Sequence, residues 1–170
     1  MTTPELSADD ARRLALRAQQ LSGAPDRRGG VPALVRTLGA VQLDTISVLA
    51  RSHELIAYAR LGAVGRVRIE RAYWGSGATF EYWGHAASVL PLSRWPLFAF
   101  RRRHFRARQR VWREHLTSTA EAVVARVRAE GPMTATALGG AKKSTGWWGW
   151  SDVKRAAEFL LATGELICST

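Results

Sequence analysis

Between two glycines, the run from Gly39 to Gly62 reads GAVQLDTISVLARSHELIAYARLG, and inside it the hydrophobic period changes. Val41, Leu43, Ile46 and Val48 bracket the polar Gln42 and Asp44, which alternate with them, so a strand is predicted over Val41–Val48. From Arg51 to Leu61 the spacing becomes helical, with Leu55 and Ala59, joined by Ile56 and Tyr58, on the inward face and Gly62 as terminator. If Val41 and Leu43 face a core, an amide and a carboxylate point together at whatever lies opposite. A glutamine can hold a water molecule and an aspartate can take its proton, a minimal kit for hydrolysis. Two plainer roles compete: Asp44 as the N-cap of a following helix, and Gln42 as a surface strand residue.

Helix signals surround this run. Ser7 reads as an N-cap with Asp9 and Asp10 in the first turn, followed by Leu14, Ala18 and Leu21 at helical spacing. A short helix is predicted from Pro32 to Leu38, ended by Gly39, and another over Val64–Tyr73. Phe80, Tyr82 and Trp83, with His85 to Leu90, read as a strand pair or wing. Pro96 to His115 reads as a basic connecting helix. Ser118 and Glu121 form a capping box that opens a further helix, ended by Gly131-Pro132. Thr134 to Leu138 suits a short second helix, and Ser151 caps a third whose apolar face is Val153, Ala157, Leu160 and Leu161, closed by Gly164. The pattern predicts a mainly α fold with short β wings, as tandem winged-helix (helix-turn-helix) units. The expected division is residues 1–95 as the first unit, 96–116 as the basic connection, and 117–170 as a second unit that stops where its wing should form.

Charge then narrows the partner. A net charge of +11 and a pI near 11.3 call for a polyanion, of which nucleic acid is the commonest. Only Lys142, Lys143 and Lys154 are lysines, so an arginine-rich composition inflates the total, but not the clustering. The single cysteine, Cys168, excludes an internal disulfide, and four histidines without ligand spacing give no metal site and no cofactor. No apolar run reaches the ~20 residues of a spanning helix, and the polar start MTTPELSADD has no apolar signal core, so a cytoplasmic protein is expected.

The trio Gln42 to Asp44 followed by Val48 to His53 resembles the AlkZ/YcaQ family of winged-helix DNA glycosylases, in its Gln-x-Asp branch. FEYWGHAASVLP from Phe80 to Pro91 and WWGWSDVKRAAEFLLATGEL from Trp147 to Leu166 fit the same family, in family order. The resemblance implies a monofunctional, metal-independent glycosylase that hydrolyses the N-glycosidic bond of alkylated purines in double-stranded DNA. N7 and N3 adducts and interstrand crosslinks are the implied lesions. Gln42 and Asp44 are the implied catalytic pair, and the resemblance implies that the chain is either a form shortened at its C-terminus or a fragment. An alkylated purine already carries positive charge and leaves as a neutral base, so the protein must act mainly at the sugar. There a carboxylate stabilises the oxocarbenium-like centre and deprotonates the water. Ordinary glycosidases need two carboxylates because their leaving group is poor.

In the resemblance Arg51 and His53 border the DNA-facing cleft; the plainer reading of His53 is a backbone hydrogen bond at a helix start. His85 is expected on a phosphate or in a wing turn. Arg101, Arg102, Arg103 and Arg106 lie on neighbouring helical turns and suit phosphate oxygens, against the plainer reading of a solvated helix face. Lys142 and Lys143 in a Gly-rich loop, and Lys154 and Arg155 on the last helix, are further backbone contacts. Duplex DNA is the expected partner and the chain is expected to be a monomer. A non-enzymatic winged-helix DNA-binding protein or regulator is the alternative, since the fold serves both classes.

Overall fold

The computed structural model describes residues 5–23, 27–108, 110–140 and 151–168. Residues up to Arg94 form one compact unit and Trp95–Cys168 another. The architecture is mainly helical with a small three-stranded antiparallel sheet, that is, helices with short β wings.

In the first unit, α1 (Ala8–Ala18) starts where predicted: the Ser7 side chain accepts from the Asp10 amide. Leu14 and Leu21 nevertheless stay about half exposed and α1 buries none of its residues. Helix α2 (Gly30–Leu38) ends on Gly39 at φ +79, a left-handed cap that glycine takes without a Cβ penalty. Then come β1 (Val41–Gln42), α3 (Ser52–Leu61) and α4 (Arg66–Trp74), followed by the hairpin of β2 (Thr79–Trp83) and β3 (Ala87–Pro91). The strand order is β1-β3-β2, with Val41 opposite Val89 and Gln42 opposite Ser88. Val31, Leu34, Val35, Val41, Ala57, Leu61, Ile69, Tyr73 and Val89 form the core beneath this sheet.

Two expectations change here. The strand predicted to Val48 pairs only through Gln42, with one further bond from the Leu43 amide to the Ala87 carbonyl. Asp44 Oδ1 accepts from the Ile46 amide at 2.9 Å, and this local turn draws the backbone away from the ladder. Ile46, Val48 and Leu49 are consequently exposed. Helix α3 is also rotated from its predicted face: His53, Glu54, Ala57 and Leu61 point inward, while Leu55, Tyr58 and Ala59 face out. The packing that holds polar residues on that face is tertiary. The Tyr73 hydroxyl donates to the His53 carbonyl at 2.9 Å, and Arg66 pairs with both Glu54 (3.3 Å) and Glu70 (2.8 Å).

A 3-10 turn (Leu92–Phe98) spans the boundary at Arg94, and the second unit continues with α5 (Ala99–Arg108), α6 (Arg110–Glu130), a π turn (Thr136–Gly140) and α7 (Asp152–Thr163). The capping box predicted at Ser118 opens no helix, because α6 runs straight through it. Leu116, Ala120 and Val123 recur at one helical face and are all buried, so the buried stripe of α6 crosses the predicted boundary, and Ala120 and Val123 pack with Ala156 and Leu160 of α7. The short helix predicted at Thr134–Leu138 is the π turn instead, broken at Gly139, where φ is +93. Ser151 caps α7 by accepting from the Lys154 amide, and Gly164 closes it at φ +76. Its buried positions are Ala156, Leu160, Ala162 and Thr163, with Val153 partly buried beside them.

Candidate active site

The site is built where β1 ends. Val41 is buried in the core and Leu43 packs against that core, so strand alternation turns Gln42 and Asp44 to the other side. Gln42 is exposed and Asp44 partly so. The backbone that carries them is pinned twice: Gln42 sits in register opposite Ser88, and the Ser52 hydroxyl at the start of α3 donates to the Gln42 carbonyl at 3.3 Å. Asp44 uses Oδ1 to hold the turn at Ile46. Its Oδ2 meets no protein donor among the described residues, so one carboxylate oxygen is free to take a proton.

The three-residue turn of the hairpin reaches the same place. Gly84-His85-Ala86 is closed by the Gly84 amide on the Ala86 carbonyl at 2.9 Å, and the Ser88 hydroxyl donates to that carbonyl at 3.0 Å. His85 Nε2 lies 2.8 Å from Gln42 Oε1. A side chain predicted on a phosphate or in a wing turn therefore meets the Gln42 amide.

The other predicted residues are distributed differently. Arg51 is exposed at the head of α3 and lines an open pocket of about 440 Å³ with Glu70, Trp74 and Gly75. His53, two residues on, is only 2 % exposed. Its ring meets Tyr73 and Trp74 edge to face at centroid distances of 5.7 and 5.3 Å, and neither ring nitrogen has a hydrogen-bond partner. Burial therefore lowers its pKa from the ordinary 6.5, with Glu54 offsetting part of the effect and Arg51 adding to it. His53 thus lies beneath the surface that Arg51 occupies.

Among the α5 arginines, Arg102 stacks 3.9 Å from the centre of the Trp95 ring and donates to the Trp95 carbonyl, and Arg106 donates to the Thr163 carbonyl at the end of α7. These two contacts knit the second unit together. Arg103 is exposed. Arg155 lies 3.8 Å from Asp152 on the exposed side of α7, and Lys154 is half-buried. Lys142 and Lys143, with the Trp147 to Trp150 cluster, lie outside the described residues.

Ser52, Tyr73 and Trp74 had no signal as site residues. Ser52 acts through the backbone of a residue ten positions earlier, and the two aromatics become relevant only once α4 packs on α3.

The family model for AlkZ-like DNA glycosylases matches residues 35–170. The chain belongs to the AlkZ-like DNA glycosylase family. The matched span contains all three stretches of the sequence resemblance, and with them Gln42, Asp44 and His85. DNA glycosylase activity, in general terms, follows for this AlkZ-like chain, and so does DNA as the partner it acts on. No solved structure matches the chain. Among the described residues, no helix of this AlkZ-like protein is long and apolar enough to cross a membrane.

Proposed function

We propose that this AlkZ-like protein hydrolyses the N-glycosidic bond of N7- and N3-alkylated purines in duplex DNA, with Asp44 as general base and charge stabiliser and Gln42 as the residue that orients the water. The observation that carries the reading is the alternation at the end of β1. Val41 and Leu43 take the core side while Gln42 and Asp44 stand outside it, with Asp44 Oδ2 unpartnered among the described residues.

In the proposed step, the C1′–N bond breaks with its electron pair leaving on the cationic purine, which departs as the neutral base. Negative charge on Asp44 stabilises the oxocarbenium-like sugar as it forms. Water held by Gln42 adds to C1′, and Asp44 takes the proton it releases. The product is an abasic site. No amine nucleophile enters and no metal is needed to generate the nucleophile, so the chemistry is monofunctional and metal-independent. The Gln-x-Asp form, which resembles the branch of broader range, extends the substrates to bulky adducts and interstrand crosslinks.

Arg51 at the head of α3, Arg103 on α5 and Arg155 on α7 are exposed cations suited to phosphates, and the net charge of +11 supplies long-range attraction. Lys154, Lys142 and Lys143 join them in this reading, as does Arg101 from the same helix as Arg103, while Arg102 and Arg106 are engaged by Trp95 and Thr163 within their own unit. The protein works as a cytoplasmic, nucleoid-associated monomer built of tandem winged-helix units.

The test is release of free base from duplex DNA carrying 7-methylguanine. Wild type is expected to release it. Asp44→Asn should lower the single-turnover rate by at least about 100-fold, the scale on which positioned acid–base groups act. Its DNA affinity should stay the same. Binding without release by the wild type would assign the chain to the regulator class.

A further inference from the structure

We propose that His85 is a positioning residue for Gln42: by donating from Nε2 to Gln42 Oε1, it holds the carboxamide with its NH2 turned toward the attacking water. The inference rests on the hydrolytic role given to Gln42 above and assigns a function to a side chain otherwise read as a phosphate contact.

The geometry is short and locally enforced. The two atoms are 2.8 Å apart across a separation of 43 residues. Each partner sits on a fixed backbone. Gln42 is held by the β1–β3 register and by the Ser52 hydroxyl on its carbonyl. His85 is held in a turn closed by Gly84 and braced by Ser88, the residue directly across from Gln42. A Cβ on Gly84 would stand 3.3 Å from the Ser88 hydroxyl, so the turn also suits a residue without a side chain there.

The chemistry explains why such a contact matters. A carboxamide has a donor end and an acceptor end, and rotation about its last bond exchanges them. The attacking water must keep one lone pair for C1′ and give one proton to Asp44. Its second lone pair is then best met by a donor. With Oε1 turned to the His85 N–H, the carboxamide can no longer swap its two ends, and the NH2, which is that donor, is the end presented to the water. Without His85 the amide rotates freely and presents its acceptor end part of the time.

Three variants in the full chain test this. His85→Ala and His85→Phe, the second keeping ring bulk without a donor, should each lower the single-turnover rate of base release about tenfold, as expected for misaimed catalytic groups. Neither should change Kd for the same duplex. His85→Gln places an amide N–H near the position of Nε2 and should restore most of the rate. In a Gln42→Ala background, His85→Ala should cost nothing further.

A readout independent of turnover is the NMR order of the Gln42 side-chain NH2 group. It should be restricted in wild type and His85→Gln, and freed in His85→Phe. Weaker DNA binding with an unchanged rate would make His85 a phosphate contact and overturn the proposal, as would a Gln42 amide equally mobile in all variants. A wild type that restricts the amide but releases no base would overturn the glycosylase reading of Gln42 and leave the positioning contact standing.

Discussion

His53 illustrates how much a single side chain depends on its surroundings. Adjacent in sequence to the site, it is enclosed between Tyr73 and Trp74 with both ring nitrogens unpartnered. Its folded-state pKa lies below the ordinary 6.5 because burial penalises the imidazolium. The unfolded chain therefore binds more protons than the folded one as pH drops through 6.5. Stability from keeping this ring neutral is present above that value and is lost as pH falls toward the lowered folded value. Denaturation of wild type at pH 7.5 and pH 5.5 should show a larger acid-side loss than in His53→Phe, which cannot titrate there. Parallel losses in the two proteins would show that another group sets the acid sensitivity.

At the level of elements, the ends are locally written and the faces are not. Ser7, Ser151, Gly39, Gly62 and Gly164 sit at the helix ends predicted for them. Gly164 is the tightest of these. It combines φ +76 with a site where a Cβ would collide with the Arg102 side chain and come within 3.1 Å of the Trp95 ring. Gly131, at the end of α6, has φ +86 but open space around it. Gly131→Ala should therefore carry only the backbone penalty, about 1 kcal/mol. Gly164→Ala should cost more, about 2–3 kcal/mol, because the Arg102–Trp95 stack must also give way. Urea denaturation of the two variants compares them directly, and equal costs would mean that the stack moves aside freely. The faces behave differently: the hydrophobic spacing of α3 favours Leu55 and Ala59, yet the buried set is His53, Glu54, Ala57 and Leu61.

For the whole molecule, the charge of +11 predicts steep salt dependence, since each phosphate neutralised releases counterions. Individual arginines should not contribute equally. Arg103 is exposed on α5, whereas its neighbour Arg102 is stacked on Trp95. Arg103→Ala should reduce the slope of log Kobs against log[salt] by about 0.9 and leave thermal stability unchanged. Arg102→Ala should lower the thermal midpoint. The reverse pattern would place the phosphate contact at Arg102 and a structural role at Arg103.

Read without coordinates, the chain already yielded its mainly helical class, its hairpin, most helix ends and the family later matched over residues 35–170. Those signals are short: a capping hydroxyl, a glycine that tolerates positive φ, and a run of alternating residues act within a few positions. That Gln42 and Asp44 share a side was visible for the same reason, because two residues of strand alternation suffice to put them there. Three things were decided only in three dimensions: the stop of β1 at Gln42, the inward turn of His53, and the meeting of His85 with Gln42. Each depends on a competition or an encounter. Asp44 closes a local turn where β3 has no further strand to offer, Tyr73 and Trp74 enclose an imidazole, and a hairpin turn 43 residues away brings a ring nitrogen to an amide. Such outcomes are set by surfaces that exist only after distant segments have packed.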